Sequence, residues 1–249
     1  MGLPTREMET GTLASTVYEQ LRRDIVSTRL APGEKLRIDA LRMRYGVGGS
    51  PMREALNRLS TEGLVWQQDQ KGFRVAPVSE QELEELTRTR CWINEIALRD
   101  SIEHGDANWE ETSVLAFHRL SRIQTRLDDG SINPEWERQH RAFHTALISA
   151  CRSRWMLNFA EMLFDCADRY RHLSGKVTQR APRDVVGEHR AILDAAIDRK
   201  ADQAVALLKA HVSKTSELVQ GSGIAMPSIS ASSRKIAAPN EIRSRSKQS

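Results

Sequence analysis

The stretch RIDALRMRYGVGGSPMREALNRLSTEGLVWQQDQKGFRVAP, residues 37–77, decides the fold of the N-terminal part of the chain. Its apolar spacing predicts a short helix over Ile38–Tyr45, which ends at Gly46 and leads through a glycine-rich turn into a second helix. We expect Ser50 to cap this second helix, with Pro51 at its first position, where a missing N–H costs nothing. Two helices joined by a tight glycine turn indicate a helix-turn-helix.

A β-hairpin is predicted directly after the second helix. Residues 64–67 and 73–76 are β-like runs, and a polar turn tipped by Lys71 and Gly72 joins them. Helix, tight turn, helix and hairpin, in this order, predict a winged helix-turn-helix.

Arg53 falls in the first turn of the second helix, where the positive end of the helix dipole disfavours a cation. A phosphate or the O6/N7 edge of guanine would satisfy it, and a bidentate Arg–guanine pair discriminates by about 1–3 kcal/mol. The alternative is a surface ion pair with Glu54 or Glu62, but the turn, the cap and the hairpin together favour DNA binding. The residues that we expect to contact DNA are Arg37, Ser50, Pro51, Arg53, Asn57, Lys71, Gly72 and Arg74.

The composition is that of an ordinary water-soluble protein, because 28% of the 249 residues are charged and 39% are apolar. No apolar run approaches the roughly 18 residues that a membrane span needs, so we expect no membrane partner. The N-terminal MGLPTREMET has no hydrophobic signal core, and the three cysteines form no metal-binding spacing. We therefore expect a reduced, cytoplasmic setting.

The charge is distributed unevenly along the chain. Residues 11–77 hold eleven Lys and Arg against seven Asp and Glu, whereas residues 78–220 hold twenty against twenty-three. The tail after Gln220 accounts for the whole formal net charge of +4. A basic N-terminal unit before a mildly acidic body fits a DNA-binding surface at one end only. The tail could touch DNA phosphates, or it could simply be solvated.

The predicted fold class is mainly α, in four parts. Residues 1–11 are expected to be a disordered arm, 12–77 a DNA-binding domain whose amphipathic first helix covers 12–29, 78–220 an all-helical domain, and 221–249 a basic, Ser-rich disordered tail. Breaks in the pattern predict six helices in the third part, over residues 79–104, 108–128, 134–150, 153–174, 182–198 and 201–220. Ser79 and Glu82 form a capping box at the start of the first of these helices.

Four of the seven histidines share one pattern. His140 and His144 lie four residues apart on one predicted helix, and His189 and His211 lie on the apolar faces of two others. Inward-facing imidazoles on three helices can converge, and helix bundles build metal sites in this way. Neutral imidazoles suit Zn, Ni, Cu or Fe(II). The alternative is that each is a hydrogen-bonded core residue.

Arg90 interrupts an apolar stripe on the first helix of the same domain. It stands between Leu86 and Ile93, and an arginine cannot give up its proton, so a buried Arg90 needs an anion. The anion could be a carboxylate of the protein or a bound organic acid. An arginine and a histidine-held metal would together clamp a small carboxylate well.

The motifs resemble those of a known family. PGEKLRIDALRMRYGVGGSPMREALNRLSTEGLV, KGFRVAPVS, HRAFHTAL, EHRAILDAAI and AHV make residues 12–220 similar to GntR-type bacterial transcription regulators, in the FadR branch with an all-helical FCD effector domain. Within that branch, YEQLRRDI, QKGFRV, SEQEL and QHRAFHTA resemble the carbon-starvation-induced, glutarate-responsive repressor type.

The resemblance implies a homodimer that binds a palindromic operator in double-stranded DNA, and a small organic acid held inside the helical domain, often on a divalent metal. Zinc comes first for the metal, with nickel or manganese as alternatives. The family's ligand positions match His144, His189 and His211, whereas the position of the usual Asp ligand holds His140. Arg90 matches the effector-clamping arginine of the family.

The recognition helix departs from the family pattern. It usually begins Ser-Arg-Thr, but this chain has Gly48, Gly49 and Ser50, so one arginine that contacts DNA is missing. Arg53 stands where the family has its second arginine. Operator sequences of relatives therefore do not transfer to this chain.

Three functions remain to be compared. The first is a ligand-controlled DNA-binding regulator, acting as a repressor. The second is a metal-dependent hydrolase that uses the same histidines, but the sequence has no H-E-x-x-H motif, nucleophile elbow or Gly-rich phosphate loop. Glu188 beside His189 could be its general base, although neighbouring residues on a helix face different ways. The third is a structural module with a core of satisfied histidines.

Overall fold

A computed structural model gives the conformation of residues 12–68, 71–174 and 183–221. The predicted arm, residues 1–11, and all of the predicted tail except Gly221 lie outside these described residues. Within them the fold is mainly helical, with one small sheet, as the sequence predicts. None of the described helices is both long and apolar enough to cross a bilayer.

In its described residues, 12–68 and 71–77, the N-terminal unit has three helices and three strands. Its elements are α1 (Leu13–Val26), β1 (Lys35–Leu36), α2 (Ile38–Tyr45), α3 (Gly49–Thr61), β2 (Val65–Gln68) and β3 (Gly72–Val75). The predicted apolar face of α3 is buried, and it packs on α1 in a core that includes Leu21, Met52, Leu56 and Leu59. The winged helix-turn-helix is therefore confirmed.

The wing contains a strand that the sequence pattern does not reveal. β1 pairs antiparallel with β3, which also pairs with β2, so the order in the sheet is β1-β3-β2. β1 is only two residues long, with Lys35 opposite Arg74 and Leu36 opposite Phe73. A two-residue strand is too short to show a period-2 pattern, and pairing with the hairpin creates it.

The predicted cap of α3 is wrong. The helix begins two residues earlier than expected, at Gly49, with Gly48 as its N-cap, and Ser50 lies inside the first turn. Gly48 has an extended backbone (φ −71°, ψ 171°), and its carbonyl accepts the N–H of Met52. Pro51 is therefore third in the helix, where its missing N–H still costs nothing because first-turn N–H groups have no intrahelical partner.

The helical domain contains the six predicted helices. They are α4 (Glu80–His104), α5 (Ala107–Ser121), α6 (Pro134–Ile148), α7 (Arg154–Ser174), α8 (Val185–Ile197) and α9 (Ala201–Gln220). Side-chain caps at Ser79, Asp106, Asn133 and Asp184 fix the start of four of them. At Ser79 only half of the capping box forms, because the hydroxyl of Tyr170 lies between the Ser79 N–H and the Glu82 carboxylate.

The predicted extent of α5 is too long. The helix ends at Ser121, not at residue 128. Residues 122–133 form a loop in which Arg126 and Ile132 make an isolated antiparallel β-bridge, and Gly130, at φ +80°, turns the chain between them. The periodicity through Ile123 and Leu127 imitates a helix, but Leu127 is 45% exposed and packs no core.

Helix α7 joins the two units. Arg22 of α1 pairs with Asp165 of α7, with Nε 3.0 Å from Oδ2. Arg169 donates to the carbonyls of Ala76 and Pro77, and Tyr170 bonds both the N–H and the carbonyl of Ser79. The segment between the wing and α4 is therefore held along α7.

Candidate functional site

The exposed face of α3 presents the predicted base-reading side chains. Ser50, Arg53 and Asn57 follow one another at helical spacing, are all exposed, and line a shallow concavity with Gly49 and Arg58. Arg53 makes no ion pair with any residue that the structure describes. Glu62, its suggested partner, instead accepts the hydroxyl of Tyr18 at 2.8 and 2.9 Å. The surface-ion-pair alternative for Arg53 therefore does not form.

The other predicted DNA contacts are spread over the turn and the wing. Arg37 is the exposed N-cap residue of α2, and Pro51 is half-buried beside the recognition face. Lys71 and Gly72 are exposed at the hairpin. Arg74 is only half-exposed, and its Nη1 donates to the Gly33 carbonyl at 3.1 Å. Arg74 therefore also supports the wing, a role that the sequence did not indicate.

The four histidines converge, as the spacing predicted. One ring nitrogen from each of His140, His144, His189 and His211 lies within 4.8 Å of the others, and we call this group the histidine cluster. Ring centroids are 4.5 Å apart for His140–His144 and for His189–His211. The helices α6, α8 and α9 each contribute at least one of these side chains.

Burial keeps the cluster neutral. Desolvation, followed by the charges of the neighbouring histidines and arginines, lowers the pKa of His140 and His144. Desolvation also lowers the pKa of His211, and that of His189 to about 2, although Glu188 acts in the opposite direction on both. Neutral imidazole is the form that binds metal ions. The Nε2 of His189 is buried without a hydrogen-bond partner in the described part of the chain, so this ring nitrogen is available to a ligand.

His211 is oriented by a carboxylate, as metal-binding histidines usually are. Its Nδ1 lies 2.8 Å from Glu188 Oε2, which leaves Nε2 for another partner. Arg183 holds the same carboxylate at 2.6 Å and also donates to the His211 carbonyl at 2.9 Å. Burial by itself would raise the pKa of Glu188, but the bonds from His211 and Arg183 outweigh it and lower that pKa. The sequence did not reveal Arg183, because it lies outside any apolar pattern.

His140 has a different outer partner. Its Nδ1 accepts from Arg171 Nη1 at 3.1 Å, and its Nε2 lies 3.1 Å from His144 Nε2. Arg171 also pairs with Asp168 at 2.9 Å and with Glu137 at 3.4 Å. Trp136 stacks on the His140 ring at 4.5 Å. These contacts fix both His140 and the guanidinium beside it.

Arg90 lies near the cluster without a carboxylate partner among the described residues. Its guanidinium sits 5.3 Å from the centre of the Phe164 ring, which is 5.7 Å from the His144 ring. Desolvation lowers the pKa of Arg90, and its charge in turn helps to lower the pKa of His144. Asp168, the carboxylate with the largest electrostatic effect on Arg90, pairs instead with Arg141 and Arg171. The site therefore combines an unpaired cation with neutral metal-binding groups.

Comparison with known proteins agrees with this architecture. Residues 13–75 match the model described as bacterial regulatory proteins, gntR family, and residues 85–214 match the FCD domain. The chain is 39% identical over 214 residues to the HTH-type transcriptional regulator BphR of Paraburkholderia xenovorans (strain LB400), covering 85% of this chain and 87% of that protein. It is 34% identical over 206 residues to the HTH-type transcriptional repressor GlaR of Escherichia coli (strain K12), covering 82% and 94%.

The fold comparison gives the same result. The solved structure of E. coli McbR/YncC superposes with a TM-score of 0.72 at 19% identity, covering 85% of this chain and 99% of that one. The family and the relatives are those of transcriptional regulators and not of enzymes. The chain therefore belongs to the gntR family of bacterial regulatory proteins and is a transcriptional regulator with an FCD domain.

Proposed function

We propose that this regulator is a repressor that binds a palindromic operator as a homodimer and is released by a small carboxylate held in the helical domain. The observation that carries the proposal is the pairing of a neutral histidine cluster with the unpaired Arg90. A cation that lies near a metal-binding group suits an organic anion. The naming of GlaR as a transcriptional repressor supports the direction of control.

DNA reading would fall to the α3 face of each subunit. Arg53, Ser50 and Asn57 would meet base edges or phosphates in the major groove, and Lys71, Gly72 and Arg74 would touch the backbone beside it. Arg37 would contact phosphate at the start of α2. Their exposure and the lack of an internal ion pair at Arg53 support this assignment.

The residues of the histidine cluster fit a divalent metal. The orphaned Nε2 of His189 and the carboxylate-oriented His211 are features of metal-binding imidazoles. Nitrogen ligands favour zinc, with nickel as an alternative, whereas manganese, the other metal that the resemblance implies, prefers oxygen ligands. The metal, when bound, would attract a carboxylate oxygen. Arg90 would bind the same acid through a second oxygen, so a small dicarboxylate is the class of effector that we propose.

The surface of the helical domain offers a face for a second subunit. Helices α4 and α7 run antiparallel, with Asp100 beside Arg152 near one end and Glu82 beside Tyr170 near the other. At the level between these anchors, four large apolar side chains are each at least 45% exposed, and they are Trp92, Ile96, Trp155 and Phe159. Exposed apolar patches on one face are typical of protein interfaces.

A chain of ion pairs would couple the site to the DNA-binding unit. It starts with the hydrogen bond from Arg171 to the neutral His140, and continues through ion pairs of Arg171, Asp168, Arg141 and Asp165 to Arg22 of α1. An effector can release DNA only if it binds one arrangement of the dimer better than the other. Small shifts of α7 would reach α1 through these contacts.

The proposal is tested by thermal-shift titration of the purified protein with C4–C6 dicarboxylates, before and after chelator treatment, together with gel shifts on operator fragments. We expect stabilisation that the chelator removes, and release of DNA by the same acids. If the acids stabilise the protein equally well after chelator treatment, the proposed metal is wrong. If the acids stabilise the protein but do not release DNA, the proposed control mechanism is wrong.

A further inference from the structure

His140 faces a group that can only donate hydrogen bonds. The guanidinium of Arg171 has no acceptor and cannot lose its proton, so at 3.1 Å the Nδ1 of His140 must supply the lone pair. The proton of the neutral ring then resides on Nε2. Arg171 is held in place by Asp168 and Glu137, so it cannot simply turn away.

The proton on Nε2 points into the cluster. The Nε2 of His144 lies 3.1 Å away, and since His140 carries the proton, His144 is the acceptor. A protonated ring nitrogen offers no lone pair to a metal. To bind a metal ion through Nε2, His140 would have to move its proton to Nδ1. The Nδ1–H would then point at the N–H of Arg171, and two donors would face each other.

His211 shows the opposite arrangement within the same cluster. Its Nδ1 lies 2.8 Å from the Glu188 carboxylate, which is an acceptor only, and 3.3 Å from Arg183 Nη2. Arg183 donates at shorter distances to Glu188 and to the His211 carbonyl, so the carboxylate contact decides. The proton of His211 therefore sits on Nδ1, and Nε2 is free. The two histidines therefore have opposite tautomers, because the nearest outer partner is a cation at His140 and a carboxylate at His211.

We propose that His140 is not a metal ligand but a hydrogen-bond donor beside a three-histidine site formed by His144, His189 and His211. This rests on the proposed function, since it presumes that the cluster holds a metal. When His144 gives its lone pair to the metal, the Nε2–H of His140 loses its acceptor. An anionic oxygen of the effector is the replacement that the chemistry favours, so His140 helps to select acids over neutral ligands.

The ligand count also sets the charge of the site. Three neutral imidazoles leave both positive charges of a divalent metal uncompensated, whereas an aspartate ligand would remove one. Together with Arg90 this favours a doubly charged anion. His140 is then a specificity-determining residue.

The experiment compares zinc content and cobalt spectra of full-length variants. We expect His140→Gln and His140→Phe to keep one metal per chain after dialysis, with the cobalt absorption spectrum little changed. His144→Gln and His189→Gln, the matched ligand variants, should lose the metal. Loss of metal from both His140 variants, at the level of His144→Gln, would overturn the inference.

An independent readout separates the inference from the proposed function. Long-range proton–nitrogen NMR of the metal-free protein distinguishes the two imidazole tautomers, and we expect the Nε2–H form at His140 and the Nδ1–H form at His211. The Nδ1–H form at His140 would overturn the inference whether or not metal binds. A wild-type chain that binds no zinc or cobalt, with the expected tautomers present, would overturn the metal in the proposed function and the three-histidine site with it, but would leave His140 as a hydrogen-bond donor.

Discussion

Single arginines in this protein differ in what their surroundings provide for them. Arg53 has solvent and no ion pair in the described structure, Arg90 has an aromatic ring and no carboxylate, and Arg171 has two carboxylates and a histidine. A cation without a protein partner is available to an outside anion. Residue type and spacing revealed Arg53 and Arg90, but Arg171 needed the structure, because its partners come from α6 and from its own helix.

Replacing Arg53 tests whether the exposed face of α3 contacts DNA. We expect Arg53→Ala to weaken operator binding by about 30-fold or more, because each of the two subunits loses a bidentate contact of about 1–3 kcal/mol. Fluorescence anisotropy with labelled operator DNA measures the affinity. Arg119→Ala on α5, which also removes an exposed arginine, should leave the affinity unchanged. Equal affinities for both variants would remove Arg53 from the interface.

Replacing Arg90 tests the effector clamp. We expect Arg90→Gln to retain zinc and operator binding but to require at least ten-fold more dicarboxylate for release, because a charge-assisted contact is lost. Gel shifts across a series of acid concentrations measure the response. The same dose dependence in wild type and variant would show that Arg90 does not touch the acid.

At the scale of elements, periodicity predicted helices well and their ends less well. All six helices of the FCD domain and both helices of the motif come from apolar spacing and glycine breaks. The start of α3, the end of α5 and the strand β1 were missed. These depend on a backbone cap, a turning loop and a two-residue pairing, none of which leaves a repeating pattern.

The turn between α2 and α3 offers a matched pair of glycines. Gly46 has φ +66°, in the left-handed region, whereas Gly49 is helical and a Cβ there would lie 3.9 Å from Arg42. We expect Gly46→Ala to lower the free energy of unfolding by about 1–2 kcal/mol, and Gly49→Ala to leave it unchanged or raised, since alanine favours helix. Urea denaturation measures both. A neutral Gly46→Ala would contradict the conformation of the turn.

At the scale of the whole molecule, the histidine cluster could be predicted from the sequence, but the hydrogen bonds and ion pairs around it could not. Helical spacing placed four imidazoles inward on three helices, and the structure brings them together. The outer partners Glu188 and Arg171 and the ion pairs toward α1 depend on how helices pack. Packing of polar side chains between helices has no signature along a single chain.

The ion pairs between the units should carry the effector signal. We expect Asp165→Asn, which removes the charge that joins Arg22 to Arg141, to bind operator and acid with near wild-type affinity but to release DNA poorly. Isothermal titration with acid and gel shifts with DNA measure the two affinities and their coupling. Arg99→Gln, which breaks exposed pairs with Glu95 and Asp202 elsewhere in the bundle, is the control. Undiminished release by Asp165→Asn would contradict the route.

The clamp on residues 76–79 has a consequence for the spacing of binding sites. Arg169 and Tyr170 hold this connector against α7, so each DNA-binding unit has little freedom to rotate relative to the helical domain. In a dimer built in this way, the protein and not the DNA determines the distance between the two DNA-binding units. Lengthening the operator's central spacer by half a helical turn would put the second half-site on the opposite side of the duplex. A DNA-binding unit that is held against α7 could not reach it there.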